Sequence, residues 1–155
     1  SPKQIYDFPN NVFVGGFIGT PPMNFVEGVV TSKGFFEVGD MKLGMTKFKI
    51  PEDKFALLKE QNFVDKPVIL GIRPEDLHDD SEDLSKFEGS RAKLKVDVAE
   101  LLGAETLIYT VLNGQNIVSK VGARVDIHMG DEIELAFDMN KCHFFDPETE
   151  LRIKK

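Results

Sequence analysis

The stretch RAKLKVDVAELLGAETLIYTVLNGQNIVSKV, residues 91–121, decides the fold. Apolar and polar side chains alternate along residues 92–98, which is the two-residue period of a strand with one buried face and one wet face. Asn113-Gly114 is a pair that favours a tight turn between antiparallel strands. The stretch therefore predicts strands at residues 91–102, 106–112 and 116–121.

Short β-rich runs fill most of the remaining chain, with turn residues about every 8–12 positions. The further predicted strands are residues 25–31, 35–38, 46–50, 68–72, 132–137 and 143–145. One convincing helix begins at Pro51 and runs to about Gln61, with acidic residues at the positive end of its dipole. The acidic run at residues 79–83 is predicted to be a solvated loop. The pattern predicts a mainly β protein in which two small barrels, one on each side of the helix, share strands.

The first twenty residues differ from the rest. Residues 2–7 predict a short helix, with Ser1 as its cap and Pro9 beyond its end. Residues 12–18 are a poor helix, because each glycine of Gly15-Gly16 weakens it by about 1 kcal/mol, and close backbone packing is the favoured reason for the pair. The breaker sequence at residues 19–22 marks the best boundary in the chain. We therefore expect a tail at residues 1–20 and a second unit at residues 21–155.

Composition excludes several classes of protein. The 155 residues suffice for one compact unit or two small interlocked ones. A net charge of −7 opposes binding to a nucleic acid. The single cysteine, Cys142, excludes an internal disulfide and fits a reducing compartment. No apolar run approaches the about 20 residues of a membrane-spanning helix. We expect a cytosolic protein that binds no nucleic acid.

The sequence lacks the motifs of an active site. There is no phosphate loop of the form G-x-x-x-x-G-K-[ST] and no G-x-S-x-G elbow. The adjacent Cys142 and His143 would point to opposite faces of a strand, which favours a buried thiol and a half-exposed imidazole over a metal site. His78 and His128 are isolated in the sequence, and residues 79–83 lack the glycine and glutamate of a calcium loop. We predict no catalytic, cofactor-binding or metal-binding residue in this chain.

Four segments, in order, resemble a known family. They are QIYDFPNNVFVGGFIGTPPMNF at residues 4–25, LGIRPEDL at 70–77, AELLGAET at 99–106 and CHFFDPET at 142–149. The first resembles the exit from the nucleotide-binding domain in ATPase subunits of carbohydrate ABC importers, the class that includes the maltose-transporter ATPase. The other three resemble the regulatory domain of the same subunits.

The resemblance implies an architecture and a set of partners. It implies two small intertwined OB-like barrels of the TOBE type, with one or two short helices, at residues 21–155, and the tail of the nucleotide-binding domain and a linker at residues 1–20. The chain is then a fragment that dimerises with itself, contacts the nucleotide-binding domain and, through the complete subunit, the permease subunits, and can be bound by a regulatory protein. ATP and Mg²⁺ belong to the complete subunit, which lies at the inner face of the cell membrane.

Candidate residues follow from the matched segments. Arg73 and Glu75 are predicted to pair with a partner chain, or else with each other in solvent, because the guanidinium fork fits a carboxylate. Glu100 and Glu105 are candidates for a surface read by regulatory proteins, with ordinary exposed carboxylates as the alternative. Phe145 is read either as a residue near the dimer contact or as part of the core.

Asp146 shares that reading and follows Phe145 either at the dimer contact or in a turn. Gly71, Pro74 and Gly103 are predicted to shape the backbone. An alternative function, a barrel that senses a small oxyanion or a sugar, comes from relatives of this fold. Single-stranded nucleic-acid binding rests on barrel type alone, and the negative charge weighs against it.

Overall fold

The computed structural model describes residues 2–17, 19, 21–40 and 44–155. Its helices are α1 (Pro2–Asp7), α2 (Val12–Phe17), α3 (Glu52–Glu60) and α4 (Ser81–Lys86). Its strands are β1 (Asn24–Val30), β2 (Phe35–Asp40), β3 (Gly44–Lys49), β4 (Pro67–Ile72), β5 (Leu77–His78), β6 (Arg91–Leu102), β7 (Glu105–Leu112), β8 (Gln115–Gly122), β9 (Glu132–Phe137) and β10 (His143–Phe145). Three short 3-10 turns lie at Pro74–Asp76, Glu88–Ser90 and Met139–Lys141.

The strands form two antiparallel five-stranded sheets. Sheet 1 has the order β10-β4-β1-β2-β3, and sheet 2 has the order β5-β9-β6-β7-β8. The edge strands β5 and β8 of sheet 2 also contact each other, so that this sheet nearly closes into a barrel. The mainly β prediction is confirmed, as is the intertwining, because β10 returns to sheet 1 after the chain has built sheet 2.

The prediction that the barrels share strands is wrong for the described residues, where each strand belongs to one sheet. The free edge of β4 is filled by β10, which pairs with residues 69–71. A strand from the end of the chain thus closes sheet 1, and no strand has to extend through both sheets.

The hairpins of sheet 2 follow the alternation seen in the sequence, with one exception. Asn113 and Gly114 both have positive φ, at 49° and 78°, as the tight turn between β7 and β8 requires. The register of β6 on β7 shifts between Val96 and Val98. Val96 is buried, but beyond this bulge Val98 is 50% exposed, so its predicted place on the buried face is wrong.

One core joins the two sheets. Sheet 1 contributes Phe36, Phe48 and Leu70, and sheet 2 contributes Leu135 and Phe137. The rings of Phe48 and Phe137 lie 4.5 Å apart between centroids. Because side chains of both sheets bury each other in this cluster, the two sheets pack against each other, and sheet 2 has a smaller buried cluster besides.

The helices show where local patterns mislead. Helices α1 and α3 are confirmed. The solvated loop predicted at residues 79–83 is wrong for residues 81–83, which begin α4, and Asp80 caps this helix by accepting a hydrogen bond from the Asp83 amide (3.0 Å). Helix α2 forms despite its two glycines, and a Cβ at Gly15 would lie 2.9 Å from the Phe25 ring. The predicted cap Ser1, Ile18 of the segment predicted to be a poor helix, and Thr20 of the predicted boundary lie outside the described residues. Among the described helices, none has the length and apolar character needed to cross a bilayer.

Candidate functional site: the cleft around Arg73

A cleft of about 460 Å³ opens between α1, the segment that connects the two sheets, and the turn at Met139–Lys141. The connecting segment supplies Arg73, Glu75 and Asp76. The full lining is Tyr6, Asp7, Phe8, Met23, Lys54, Arg73, Glu75, Asp76, Asn140, Lys141 and His143. Polar and charged side chains therefore dominate a site at the junction of the tail and the barrels.

Arg73 is the central residue of this cleft. It is extended (φ −74°, ψ 149°), as the residue before a proline prefers, and Pro74 begins the 3-10 turn behind it. The side chain is 4% exposed, and its guanidinium donates to the carbonyl oxygens of Tyr6 (2.9 Å) and Gly15 (3.4 Å). Both carbonyls lie in the last turns of short helices, where backbone acceptors lack partners within the helix. Arg73 thus binds the ends of α1 and α2.

Tyr6 packs between Arg73 and Glu75. The guanidinium lies 4.0 Å from the centroid of the Tyr6 ring, and the Tyr6 hydroxyl donates to the Glu75 carboxylate. Burial, together with the hydrogen bond to Glu75, raises the pKa of Tyr6 to about 12, and burial lowers the pKa of Arg73. Arg73 and Glu75 thus contact one tail residue from two sides.

His143 holds the next residue of the tail. Its Nε2 donates to the Asp7 carbonyl at 2.5 Å, and the Phe8 ring packs edge-on against the imidazole with 5.6 Å between centroids. A carbonyl oxygen only accepts, so we assign the proton of the neutral ring to Nε2. Burial lowers the pKa of His143 to about 4, and the side chain is therefore uncharged at neutral pH.

Asp76 places a second titratable group in the cleft. Burial raises the pKa of its carboxyl to about 6, and the Lys141 ammonium, 3.8 Å away, opposes the shift. The Asp76 carbonyl accepts from the Asp138 amide (3.0 Å) and thereby ties the connecting segment to the end of β9. Near pH 6 the charge of this carboxyl changes, whereas that of His143 does not.

Comparison with known families gives two matches in sequence order. The family described as MalK OB fold domain matches residues 19–77, and the family described as TOBE domain matches residues 70–145. The chain belongs to the OB and TOBE domains of sugar ABC-importer ATP-binding proteins. This confirms the resemblance carried by the four segments.

Individual OB/TOBE relatives agree with this membership. The oligosaccharides import ATP-binding protein MsmX of Bacillus subtilis is 48% identical over 154 residues, which are 99% of this chain and 40% of the relative. The trehalose/maltose import ATP-binding protein MalK of Thermococcus litoralis is 38% identical over 96% of this chain and 39% of its own length. The multiple sugar-binding transport ATP-binding protein MsmK of Streptococcus mutans is 37% identical over 99% and 40%. The chain thus spans about 40% of the length of these relatives.

The overlap of the OB and TOBE matches, residues 70–77, is the segment LGIRPEDL. It runs from β4 of sheet 1, through the turn at Pro74–Asp76, to β5 of sheet 2. Arg73 therefore lies where one domain passes into the other and also where both meet the tail.

Gly71 and Pro74 of the OB/TOBE unit, which were predicted to shape the backbone, both lie in tightly packed surroundings. A Cβ at Gly71 would lie 2.6 Å from Cε1 of Phe145 and 2.7 Å from Sδ of Met23. Phe145 is fully buried and packs edge-on against Phe25 at 5.6 Å. Pro74 is buried at the start of its turn. The ring of Phe145 thus lies directly over the backbone of β4.

The other predicted residues lie away from the cleft. Glu100 and Glu105 are exposed on β6 and β7, and Glu105 pairs with Lys120 at 3.6 Å. Gly103 turns the chain between these strands with φ 63°. Asp146 Oδ1 accepts from the Glu148 amide (2.9 Å) in the turn after β10. The structure therefore brings together only Arg73 and Glu75 of the predicted surface residues.

His78 is less isolated than the sequence indicates. Its Nδ1 lies 3.6 Å from a carboxylate oxygen of Asp83, and ligand atoms of His78, Asp80 and Asp83 all lie within 4.8 Å of one another. Asp80 already serves as the cap of α4. We assign no metal to this group.

Sequence reasoning missed two kinds of OB/TOBE residue. Tyr6 and His143 line the cleft and make its central contacts, but nothing in the matched segments that contain them marks these two residues out. Asn24 of β1 bonds both to the carbonyl and to the amide of Val118 on β8, each at 2.8 Å, and Gln115 of β8 bonds in the same way to the backbone of Glu27 (2.7 and 3.1 Å). These two side-chain amides join the sheets, a role that depends on residues about ninety positions apart.

Proposed function

We propose that residues 21–155 are the regulatory and dimerisation region of the ATPase subunit of a sugar ABC importer, and that residues 1–20 are the tail of its nucleotide-binding domain. The ordered OB and TOBE matches carry this proposal, supported by relatives whose names describe the import of oligosaccharides, trehalose/maltose and multiple sugars. ATP and Mg²⁺ are then bound by a part of the subunit outside these residues, and this chain alone hydrolyses no ATP.

Contacts between the tail and the barrels support a mechanical link. Tyr6 is bound by Arg73, Asp7 by His143, and Asn10 through its carbonyl by the Arg152 amide (2.7 Å). Val12 donates its amide to the Glu150 carbonyl at 3.0 Å. A movement of the nucleotide-binding domain would reach the barrels through this bonded tail.

Homodimerisation would explain how this mechanical link assists ATP-driven closure of the nucleotide-binding domains. If two subunits are joined through their regulatory regions, the nucleotide-binding domains stay at high effective concentration when they separate, so that reclosure on ATP is nearly intramolecular. The partly exposed Asp146 is our candidate for a contact with the second copy, and the exposed Glu100 and Glu105 are our candidates for contacts with a regulatory protein. In the complete transporter the subunit would lie in the cytoplasm against the permease subunits.

Light scattering of the purified 155-residue chain, coupled to size exclusion, tests the proposal. We expect the mass of a dimer, twice the 17.4 kDa of the chain, and no release of phosphate from ATP. A strict monomer at high concentration would contradict the dimerisation function. ATP turnover that copurifies with the chain would contradict the proposal that a part of the subunit outside these residues binds and hydrolyses ATP.

The cleft around Arg73 favours a second candidate, the sensing of a small ligand such as an oxyanion or a sugar. The volume of about 460 Å³ combines aromatic rings with amide, ammonium and carboxylate groups, which suits a polar ligand. Calorimetry with molybdate, sulfate and oligosaccharides tests it. The absence of heat with all three would count against sensing in this cleft.

A further inference from the structure

A second cavity, of about 210 Å³, adjoins the cleft and shares Phe8, Lys54 and His143 with it. It lies between α3, β10 and the end of the chain, with Leu58 and Phe144 in its apolar floor. Its cationic lining consists of Lys54, Arg152, Lys154 and Lys155. No Asp or Glu of the described residues lines it, although the chain as a whole carries a net charge of −7.

Arg152 is a partly buried cation for which the described residues provide no carboxylate within 4.0 Å. In the part of the chain that the structure describes, its Nε is buried with no hydrogen-bond partner, and its guanidinium lies 5.7 Å from the centroid of the Phe8 ring. Burial is the one cause that lowers the pKa of this side chain, with no carboxylate to oppose it. A buried cation left in this way is costly unless an anion reaches it.

Lys54 is the second such cation. It is half-buried on α3, and no carboxylate of the described ranges lies within 4.0 Å of its ammonium. The half-buried Arg124, in contrast, pairs with Asp79 at 2.7 Å. Two cations that line one concave site, and that no carboxylate of the described residues neutralises, form a positive surface that suits an anion.

We propose that this cavity binds a small organic phosphate monoester, with the phosphate at Arg152 and Lys54 and the carbon skeleton on the apolar floor. A monoester carries about −1.5 to −2 charges near neutral pH, so it can pair with both cations, whereas one carboxylate would leave a cation unmatched. The guanidinium fork fits phosphate oxygens in a bidentate manner. The cavity of about 210 Å³ far exceeds the about 10–15 Å³ that one water requires, and so it has room for the organic part.

The proposal is independent of dimerisation, and calorimetry on the whole 155-residue chain at low salt tests it. The probes are glucose 6-phosphate, inorganic phosphate and glucose. We expect saturable binding of glucose 6-phosphate at one site per chain, weaker binding of inorganic phosphate and no binding of glucose. Arg152→Gln and Lys54→Gln should each weaken the binding of glucose 6-phosphate at least about tenfold.

Lys93→Gln is the matched control, because it removes one positive charge from an exposed position on β6. Its affinity for glucose 6-phosphate should stay within about twofold of the parent chain. Circular dichroism establishes that each variant is folded. The proposal is overturned if no phosphate probe binds saturably, if Lys93→Gln weakens binding as much as Arg152→Gln does, or if glucose or inorganic phosphate binds as tightly as the ester.

Discussion

Replacing Arg73 with methionine tests whether its guanidinium holds the tail on the barrels. The substitution keeps a long, apolar side chain but removes the hydrogen bonds to the carbonyls of Tyr6 (2.9 Å) and Gly15 (3.4 Å). It also removes the cation from the Tyr6 ring, 4.0 Å away. The carbonyls at the ends of both short helices then lose a charged donor.

The expected loss of free energy for docking of the tail follows from these contacts. A hydrogen bond to a charged group contributes about 1.5–3 kcal/mol, and the cation–ring contact adds about 0.5–2 kcal/mol. The longer bond to Gly15 is weak, and removal of a buried charge returns part of the desolvation cost. A net loss of about 2–3 kcal/mol for tail docking lowers the ratio of docked to undocked tail about 30- to 150-fold.

Hydrogen exchange of backbone amides measures this ratio. Hydrogen-bonded amides among residues 2–17, such as that of Val12 bonded to the Glu150 carbonyl, should exchange faster by the same factor, whereas those of β7 and β8 should not change. Arg91→Met is the control, because Arg91 lies on the surface 3.9 Å from Glu134. Unchanged exchange of residues 2–17, or equal acceleration throughout sheet 2, would refute the reasoning.

Further predictions concern pH and packing. The pKa of His143 is lowered to about 4 in the folded state, so the unfolded chain binds the proton first and the free energy of unfolding falls as pH drops from about 6.5 to 4. The pKa of Asp76 is raised to about 6, so the folded chain binds the proton first and the free energy of unfolding rises over the same range. His143→Gln should therefore make urea-measured stability rise on acidification relative to the parent, and Asp76→Asn should make it fall more steeply; parallel pH profiles would contradict both. Gly28→Ala should cost about 1–3 kcal/mol in urea unfolding, because a Cβ would lie 2.6 Å from a carbonyl oxygen of β2. At Gly122 a Cβ would have no atom of the described residues within 4 Å, so the same change there should cost less than about 1 kcal/mol. Asn24→Ala breaks the two hydrogen bonds that Asn24 makes to Val118 of the other sheet and should cost about 2–3 kcal/mol in the same assay. A loss below about 0.5 kcal/mol would show that the packing of the sheets does not depend on Asn24.

Local patterns identified most of the elements. The alternation in β6, the Asn113-Gly114 turn and helix α3 could be read directly, because a strand with one wet face and a tight turn each have a characteristic local sequence. Helix α4 was missed because its acidic residues suit a solvated loop equally well, and the Asp80 cap distinguishes the two only when the backbone is folded. The bulge after Val96 was missed because strict alternation continues through it in the sequence.

Only part of the candidate site could be predicted from the sequence. Arg73 and Glu75 were recognised within LGIRPEDL but were assigned either to a contact with a partner chain, which stays a prediction, or to a pair with each other in solvent. In the structure both bind Tyr6, about seventy positions earlier. The side chains of Arg73 and Glu75 have several rotatable bonds, so the sequence around them does not determine which distant residue they contact.

The sequence by itself determined the family, the β-rich character and the lack of phosphate-loop and elbow motifs, because each of these is carried by residues close together in the chain. The tertiary structure alone decided that α1 and α2 dock on Arg73 and that Asn24 and Gln115 join the sheets. It also decided that Lys54 and Arg152 line one cavity in which no Asp or Glu of the described residues takes part. Those arrangements depend on contacts between residues far apart in sequence, and burial sets their energies. Burial is a property of the whole fold, and no segment possesses it alone.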